Sequence, residues 1–135
     1  MNAVDTNVLV YAHDPRDPVK QDKAVALIAS LSDGVLLWQV ACEYVAAIRK
    51  LTAFGLSQQQ AYSDLQKLRN LWLPISPTWA TMDHAEKLMT TGNLSFWDAL
   101  VIGAYAESGI KTFYSEDFDS STTALTGVAV VNPFR

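Results

Sequence analysis

The sequence predicts an α/β fold in which a short, mainly parallel central sheet of about five strands is flanked by helices. Short apolar runs of strand length alternate with segments of helical periodicity, a pattern typical of a parallel sheet covered on both faces. The chain has 135 residues, half of them hydrophobic, which is enough for one compact core. We therefore expect a single domain over residues 1–135.

The first part of the sequence predicts one strand and two helical segments. Residues 1–4 read as an apolar strand, and residues 7–12 as a short helical turn. Asp17 followed by proline is a typical helix start, because aspartate caps the helix and proline suits its first position. Gly34 is predicted to end that helical unit.

The middle of the sequence predicts two more strands and two helices. A buried strand over residues 35–37 precedes a helix over residues 39–54, which Gly55 ends. Residues 57–60, Ser-Gln-Gln-Gln, have the form of a capping box that opens the next helix. A third strand is predicted at residues 73–75.

The last part of the sequence predicts two helices and two strands. A helix is predicted over residues 78–89, with a capping threonine at its start and Gly92 as the residue that stops it shortly afterwards. The next helix, over residues 95–107, begins at a capping serine. Residues 112–114 and 128–131 complete the predicted strands.

Composition and charge exclude several classes of protein. The 10 basic and 14 acidic residues give a formal charge of −4, which argues against gripping nucleic acid mainly through a basic surface. An RNA substrate is still compatible with this charge, since a bound metal ion attracts phosphate. Cys42 is the single cysteine, so an internal disulfide and a thiolate-rich zinc site are excluded.

The apolar segments are too short or too interrupted for a membrane span. The stretch over residues 93–106 is broken by Asp98, and the first residues are too few and too acidic for a signal peptide. We therefore expect a soluble, cytoplasmic protein without a membrane partner.

Four carboxylates lie at distant places along the chain, each at the end of an apolar run: Asp5, Glu43, Asp98 and Asp117. Asp5 and Asp117 each follow a predicted strand, and sites in open parallel sheets form beyond the carboxyl ends of strands. If the fold gathers these acids, their like charges repel one another. A divalent cation that prefers oxygen ligands relieves that repulsion, so the pattern favours a Mg²⁺ or Mn²⁺ site.

Three of these acids also have ordinary structural interpretations. Asp5 lies between a strand and a helix, where aspartate commonly caps the helix. Asp98 follows Ser95 at the spacing of a capping box, and the helix dipole there favours an ionised carboxylate. Asp117 belongs to an acidic cluster in a loop, and loop carboxylates are usually solvated.

Glu43 is harder to explain structurally, because its sequence neighbours are apolar. A carboxylate there is costly unless it is paired, binds a metal or faces water at the edge of the apolar stripe. Glu116 and Asp119 are further acids near Asp117, and the sequence leaves open whether either shares its role. The two histidines are far from the acidic motifs in sequence and are interpreted as surface residues.

Together these motifs resemble those of PIN domains, over essentially the whole chain. The resemblance rests on Asp5-Thr6-Asn7, on Glu43 in an early helix, on Asp98 at the start of a late helix, and on Ser115-Glu116-Asp117 after a strand. The segment Val130-Val131-Asn132-Pro133-Phe134 is similar to the C-terminal end of many VapC-type toxins of bacterial toxin–antitoxin pairs. The resemblance implies a three-layer α/β/α arrangement and metal-dependent endoribonuclease activity.

The resemblance also implies roles for individual residues. The catalytic and metal-binding acids of the family match Asp5, Glu43, Asp98 and Asp117. Asp5, Asp98 and Asp117 are expected to bind the metal directly or through water, and Glu43 to complete the shell or position the water. Thr6 and Ser115 match small hydroxyl positions that orient ligands or water, whereas Asn7 is expected to cap or brace the first helical turn.

The resemblance implies three partners: an RNA substrate, a cognate antitoxin that blocks the acidic pocket, and a second copy of the chain in a homodimer. Exposed apolar residues of the helical pair over residues 51–71 are candidates for a homodimer interface or for a groove that takes a partner's helix.

The tryptophans are predicted to pack mainly in the core: Trp38, Trp72, Trp79 and Trp97. Trp97 is the best candidate for stacking on a nucleobase, because it adjoins Asp98 and could lie at the pocket rim.

Two alternative functions remain open. The same acids and ions suit a DNA nuclease or a phosphatase. Asp5 is followed by Thr6 and Asn7 rather than by the Asp-x-Asp pair of haloacid-type phosphatases, which disfavours a phosphoaspartate mechanism. A catalytically silent PIN-like binding module is the alternative outside the enzymes, and the presence of all four acids argues against it.

Overall fold

The computed structural model describes residues 1–135, apart from the side chain of Ser120. Over these residues the strands are β1 (Asn2–Val4), β2 (Gly34–Leu37), β3 (Leu73–Ile75), β4 (Thr112–Tyr114) and β5 (Ala129–Val131). The helices are α1 (Thr6–Tyr11), α2 (Pro18–Ser30), α3 (Trp38–Ala47), α4 (Gln58–Leu71), α5 (Trp79–Gly92), α6 (Phe96–Glu107) and α7 (Ser120–Thr126). A 3-10 helix, Ile48–Phe54, continues α3.

The strands form one parallel sheet in the order β3-β2-β1-β4-β5, which confirms the predicted α/β class. Successive residues of a strand point to opposite faces of the sheet. Val35 and Leu36 of β2 are both buried, so both faces of the sheet are covered. This burial is consistent with the predicted three layers.

The central strand β1 determines where the acids meet. Val4 pairs with Tyr114 of β4, and the backbone N–H of Asp5 donates to the Tyr114 carbonyl at 2.9 Å. Because β1 and β4 are parallel neighbours, the residues that follow them, Asp5 and Ser115, lie side by side. The sheet thereby brings together two segments that are 110 residues apart in the chain.

Several predicted helix boundaries are confirmed by their caps. The Asp17 side chain accepts a hydrogen bond from the backbone N–H of Lys20 at the start of α2. Ser57 and Gln60 form both halves of the capping box that opens α4. The 3-10 helix ends at Gly55, whose φ of 92° is left-handed and favours glycine.

Gly34 does not end a helix, as the sequence pattern predicted; it is the first residue of β2, and α2 already ends at Ser30. The reason is a close packing contact. A Cβ at position 34 would lie only 2.3 Å from Cε2 of Trp72, whose indole N–H donates to the Leu31 carbonyl at 3.1 Å. Gly34 is therefore required because the Trp72 ring lies against its backbone.

Three other segments also differ from the predictions. The helix predicted over residues 39–54 tightens into a 3-10 helix at Ile48. The left-handed residue after α5 is Asn93, with φ 55°, rather than Gly92. Helix α7 was not predicted, because its sequence Ser-Ser-Thr-Thr-Ala-Leu-Thr consists mostly of weak helix formers.

The predicted core packing is wrong for two of the four tryptophans. Trp72 is buried, but Trp38 and Trp79 are 60% and 82% exposed, and Trp97, the predicted exception, is 63% exposed. The three exposed tryptophans occupy the first or second position of α3, α5 and α6. In the described residues, no helix is both long and apolar enough to cross a bilayer.

Candidate active site

The four predicted acids surround one cavity of about 260 Å³ at the carboxyl edge of the sheet: Asp5, Glu43, Asp98 and Asp117. Thr6 and Asn7 contribute polar groups to its wall, and Phe118 contributes an apolar side chain. The acids come from the ends of β1 and β4, from α3 and from the first turn of α6. The fold therefore brings together carboxylates that are distant in the sequence.

Asp5 is held by both of its carboxylate oxygens. Oδ1 accepts the backbone N–H of Thr6 at 2.8 Å and caps α1, while Oδ2 accepts the Ser115 hydroxyl at 2.7 Å. The capping role and the place in the cavity, which the sequence offered as alternatives, therefore coexist.

Burial raises the pKa of the Asp5 carboxyl from 3.8 to about 6. The hydrogen bonds from Ser115 and Thr6 lower this pKa, whereas the negative charges of Asp117 and Glu43 raise it. The carboxylate is thus poorly compensated in the protein alone, and a cation beside it would favour its ionised form.

Glu43 is exposed on α3 and faces the cavity. The Thr6 hydroxyl donates to its Oε2 at 2.8 Å. This placement combines two of the possibilities considered for Glu43, since its carboxylate is both paired and accessible to water. Thr6 follows Asp5 directly, so the start of α1 orients two of the four acids.

Asp98 lies in the first turn of α6, as predicted. Its backbone N–H donates to the Ser95 hydroxyl at 3.3 Å, so Ser95 caps the helix that carries it. The Asp98 charge contributes to the raised pKa of Asp117. The two carboxylates therefore interact across the cavity.

Asp117 is fixed by Asn7 and Ser115. The Asn7 side-chain amide donates to Asp117 Oδ2 at 2.5 Å, and the Asp117 backbone N–H donates to the Ser115 hydroxyl at 3.0 Å. Burial raises the pKa of Asp117, and the charges of Glu116 and Asp98 raise it further. Asn7, expected only to cap or brace the first helical turn, thus holds an acid of the cavity, and this contact was not predicted because its partner is 110 residues away.

Ser115 connects two of the acids through one buried hydroxyl. Its Oγ donates to Asp5 and accepts from the backbone of Asp117, and its side chain is fully buried. Neither a longer nor an apolar side chain would reproduce both bonds in that space.

The two neighbouring acids point elsewhere. Glu116 pairs with Lys20, with Oε2 2.9 Å from Nζ, and it accepts the Tyr11 hydroxyl at 2.9 Å. Asp119 caps α7 by accepting the backbone N–H of Ser121. Neither lines the cavity, so the structure distinguishes Asp117 from the acids that compete with it in the sequence.

The histidines also lie outside the acidic cavity. Nε2 of His13 lies 2.9 Å from the Asp64 carboxylate, and Nδ1 of His84 lies 3.7 Å from that of Glu107. Both side chains are partly exposed.

The donor set of the cavity fits a hard divalent cation. Its wall offers carboxylate, hydroxyl and amide oxygens, the ligands that Mg²⁺ and Mn²⁺ prefer. The pKa values of Asp5 and Asp117 are raised mainly by burial and further by neighbouring negative charges, so the protein alone disfavours their ionised forms, and a cation would offset that cost. No three His, Cys, Asp or Glu side chains described in the structure lie at the spacing of a formed metal site.

Comparison with known proteins gives a family and a fold. A model of the PIN domain family matches residues 3–124. No curated protein sequence is significantly similar to the chain.

Solved structures of similar fold include toxins and toxin–antitoxin complexes. Mycobacterium tuberculosis VapC20, a toxin that cleaves the sarcin–ricin loop, has a TM-score of 0.71 at 19% identity, covering 93% of this chain and 95% of that chain. A toxin–antitoxin complex from Klebsiella pneumoniae gives 0.69 at 14% identity, with 98% of both chains covered. VapBC2 from Rickettsia felis, bound to a DNA fragment from its promoter, gives 0.67 at 15% identity and 97% of both chains. Similarity at this level of identity concerns the fold.

Proposed function

The chain belongs to the PIN domain family, and from this premise we propose that it is a metal-dependent endoribonuclease, the toxin of a type II toxin–antitoxin pair. The observation that carries the proposal is the cavity, where acids from four separate elements face one another. The fold shared with a toxin that cleaves the sarcin–ricin loop supports the choice of a nuclease. We place this activity in a single cytoplasmic domain.

Asp5, Asp98 and Asp117 would hold Mg²⁺ or Mn²⁺, with Glu43 completing the set. The ion supplies two effects when bound: it acidifies a coordinated water and it stabilises negative charge on the phosphate. Of the protein groups, Ser115 fixes the orientation of Asp5, and Asn7 fixes that of Asp117.

Glu43 is the acid best placed to act on water. Thr6 donates to its Oε2 and so orients the carboxylate, while the exposure of Glu43 leaves Oε1 able to accept a hydrogen bond from a water molecule. A carboxylate in that position would orient the attacking water and receive its proton.

Cleavage assays on charge-neutralised variants test the proposal. Asp5→Asn and Asp98→Asn keep the shape of the side chain and remove its charge, so each should abolish hydrolysis of labelled RNA in Mg²⁺ or Mn²⁺. Asp83→Asn, at an exposed acid of α5 outside the cavity, is the matched control and should retain activity. Circular dichroism checks that each variant is folded.

The same assays separate the alternatives. Labelled RNA, DNA and a phosphomonoester are each offered with Mg²⁺, Mn²⁺ or EDTA. RNA cleavage that EDTA stops supports the proposal, whereas cleavage of DNA or the monoester alone indicates the other enzymes. A melting temperature that millimolar Mn²⁺ leaves unchanged would contradict an ion site, because an ion that binds the folded state must stabilise it.

We infer that a cognate antitoxin blocks the acidic cavity with one segment and also binds the apolar groove between α1, α2 and α4. The groove has a volume of about 290 Å³ and is lined mainly by apolar side chains, among them Leu9, Val25, Ile28 and Leu68. An amphipathic helix can bury its apolar face in such a groove. Similar folds occur in toxin–antitoxin complexes, which supports this kind of partner.

We also propose that the chain forms a homodimer through the exposed apolar side chains of α4 and β3. Tyr62 of α4 is 58% exposed and lines one groove with Pro74 and Ile75 of β3, and contiguous exposed apolar groups commonly mark an interface. Light scattering should give a mass twice that of one chain, and the mass of a single chain would contradict the dimer.

A further inference from the structure

The loop that carries Asp117 is anchored on the side away from the acidic cavity. Ser115 and Asp117 contact cavity residues, while Glu116 between them is bound elsewhere. Both Glu116 oxygens are used: Oε1 accepts the Tyr11 hydroxyl, and Oε2 lies 2.9 Å from Nζ of Lys20. One residue of the loop is therefore anchored to α1 and α2 while its neighbours form the site.

Helix α1 holds two successive residues of this loop. Asn7 donates to Asp117, and Tyr11 donates to Glu116. Asn7 and Tyr11 are four residues apart and so lie on the same face of the helix. A shift of Glu116 would therefore move Asp117 relative to its Asn7 contact.

Lys20 is the cationic member of this anchor, and it is itself constrained. Its Nζ lies 4.6 Å from the Tyr11 ring centroid, 5.3 Å from that of Phe134 and 3.3 Å from the Tyr11 hydroxyl. The Tyr11 and Phe134 rings pack edge to face at 5.1 Å. These contacts fix the position of the ammonium group, unlike that of a typical surface lysine.

The Lys20–Glu116 pair is also better shielded than a typical surface ion pair. The side chains of Lys20 and Glu116 are 31% and 20% exposed. Removal of the lysine would leave a half-buried carboxylate without its cation, next in sequence to an acid of the cavity.

We propose that Lys20 is a positioning residue, which holds Asp117 at the acidic cavity by binding Glu116. The effect of Lys20 on catalysis rests on the proposed function. The contacts of Lys20 with Glu116 and Tyr11 do not depend on any ion or substrate. Outer partners of metal-binding side chains commonly change metal affinity about 10–100-fold when they are removed.

Five variants test the role of Lys20. Lys20→Met removes the cation, and Lys20→Arg keeps it. Glu116→Gln removes the carboxylate, and the double variant Lys20→Met with Glu116→Gln removes both charges. Lys23→Met is the matched control, because Lys23 lies on the same helix and donates to the Phe134 carbonyl at 3.2 Å without contacting Glu116.

The first measurement is amide hydrogen exchange in EDTA, followed on peptides that cover residues 113–119. Lys20→Met should speed exchange in this segment about tenfold, because the Asp117 N–H bond to Ser115 opens more often. Lys20→Arg and Lys23→Met should exchange at the wild-type rate. Glu116→Gln should also speed exchange, and the double variant should exchange at the same rate as Glu116→Gln, because Lys20 then has no carboxylate left to bind.

The second measurement is Mn²⁺ affinity from calorimetric titration. Lys20→Met should weaken binding about tenfold or more, and the double variant should bind Mn²⁺ as Glu116→Gln does. Wild-type exchange and wild-type Mn²⁺ affinity in Lys20→Met would overturn the inference. A further loss of about tenfold when Lys20→Met is added to Glu116→Gln would show that Lys20 does not act through Glu116, and would overturn it as well.

Two further outcomes are distinguishable. If no variant and no wild-type protein cleaves RNA, the proposed function fails, but the exchange rates of residues 113–119 still decide whether Lys20 positions the loop. If Lys20→Met does not fold, Glu116→Gln alone gives the answer, because it removes the anionic partner and leaves Lys20 in place. Wild-type exchange in that variant would then overturn the inference.

Discussion

Asp5 uses its two carboxylate oxygens for two different bonds. One oxygen caps α1 through Thr6, and the other accepts the Ser115 hydroxyl. These bonds orient the side chain but do not offset the cost of its burial, which leaves the pKa of Asp5 at about 6. The ionised Asp5 carboxylate therefore destabilises the folded protein at neutral pH, and such destabilising buried charges are common at functional sites.

Asp5→Asn should make the metal-free protein more stable at neutral pH. A raised pKa means that the fold favours the protonated carboxyl, so its contribution to stability is complete below pH about 4 and is lost as the pH rises through about 6. The difference in free energy of unfolding, variant minus wild type, should increase by about 2 kcal/mol between pH about 4 and about 7.5. Urea denaturation in EDTA measures it at both values. A difference that does not change with pH would show that burial does not penalise this charge.

The sequence predicted which acids meet but not how they are held. Strand ends and helix starts were enough to select Asp5, Asp98 and Asp117 as neighbours, since parallel strands direct their carboxyl ends to one edge. The bond from Asn7 was not predictable, because it joins residues 110 positions apart. The choice of Asp117 over Glu116 was not predictable either, since it depends on which way two adjacent side chains point.

At the scale of elements, β2 and α4 are joined by a contact between a glycine and a tryptophan. The Trp72 ring occupies the space that a side chain at Gly34 would need, and its N–H donates to the Leu31 carbonyl. The contact lets the end of α4 lie directly on the start of β2, next to β1.

Gly34→Ala and Gly55→Ala should separate steric from conformational requirements for glycine. At Gly34 an added Cβ collides with Trp72, and the loss should be about 3 kcal/mol. At Gly55 the Cβ meets no atom within 4 Å, but φ is 92°, so the loss should be about 1 kcal/mol. Chemical denaturation of both variants gives the two values. Equal losses would contradict the assignment of a steric role to Gly34.

Most elements were predictable because their local signals agree with their tertiary surroundings. Caps at Asp17, Ser57 and Ser95 mark helix starts that the structure confirms. Helix α7 was missed because its serines and threonines favour other conformations, and packing rather than propensity keeps it helical. Gly34 was misassigned because a glycine required by a distant ring has the same local signal as a helix terminator.

At the scale of the whole molecule, the acidic cavity and the apolar groove are separate surfaces joined by α1. Thr6 and Asn7, early in α1, line the cavity, whereas Leu9, later in α1, and Ala12, directly after it, line the groove. A partner bound in the groove would therefore touch the same helix that orients Glu43 and Asp117. The exposure of the tryptophans was not predictable from the sequence, because the sequence does not reveal which surfaces other elements cover.

Ala29→Arg should weaken binding of the proposed antitoxin without affecting the proposed RNA cleavage. Ala29 lines the groove and is exposed, so an arginine there fills space that a partner's helix would need. Binding should weaken about 100-fold, the scale of losing one central contact of about 2–3 kcal/mol. Ala26→Arg, on the same helix but outside the groove lining, is the control and should bind normally. Normal binding by Ala29→Arg in a titration with purified antitoxin would place the interface elsewhere.

The pairing of the central strand β1 with β4 also sets the order in which the cavity can form as the ribosome makes the protein. Synthesis delivers Asp5 first and Glu43 soon after, but the Ser115 hydroxyl that orients Asp5 comes 110 residues later. Until β4 emerges from the exit tunnel, β1 lacks one of its two neighbouring strands in the sheet, and Asn7 lacks its carboxylate partner. The nascent chain therefore carries Asp5 and Glu43 before the segment with Ser115 and Asp117 exists to complete the cavity. The cavity can perform no chemistry until synthesis of the chain is nearly finished.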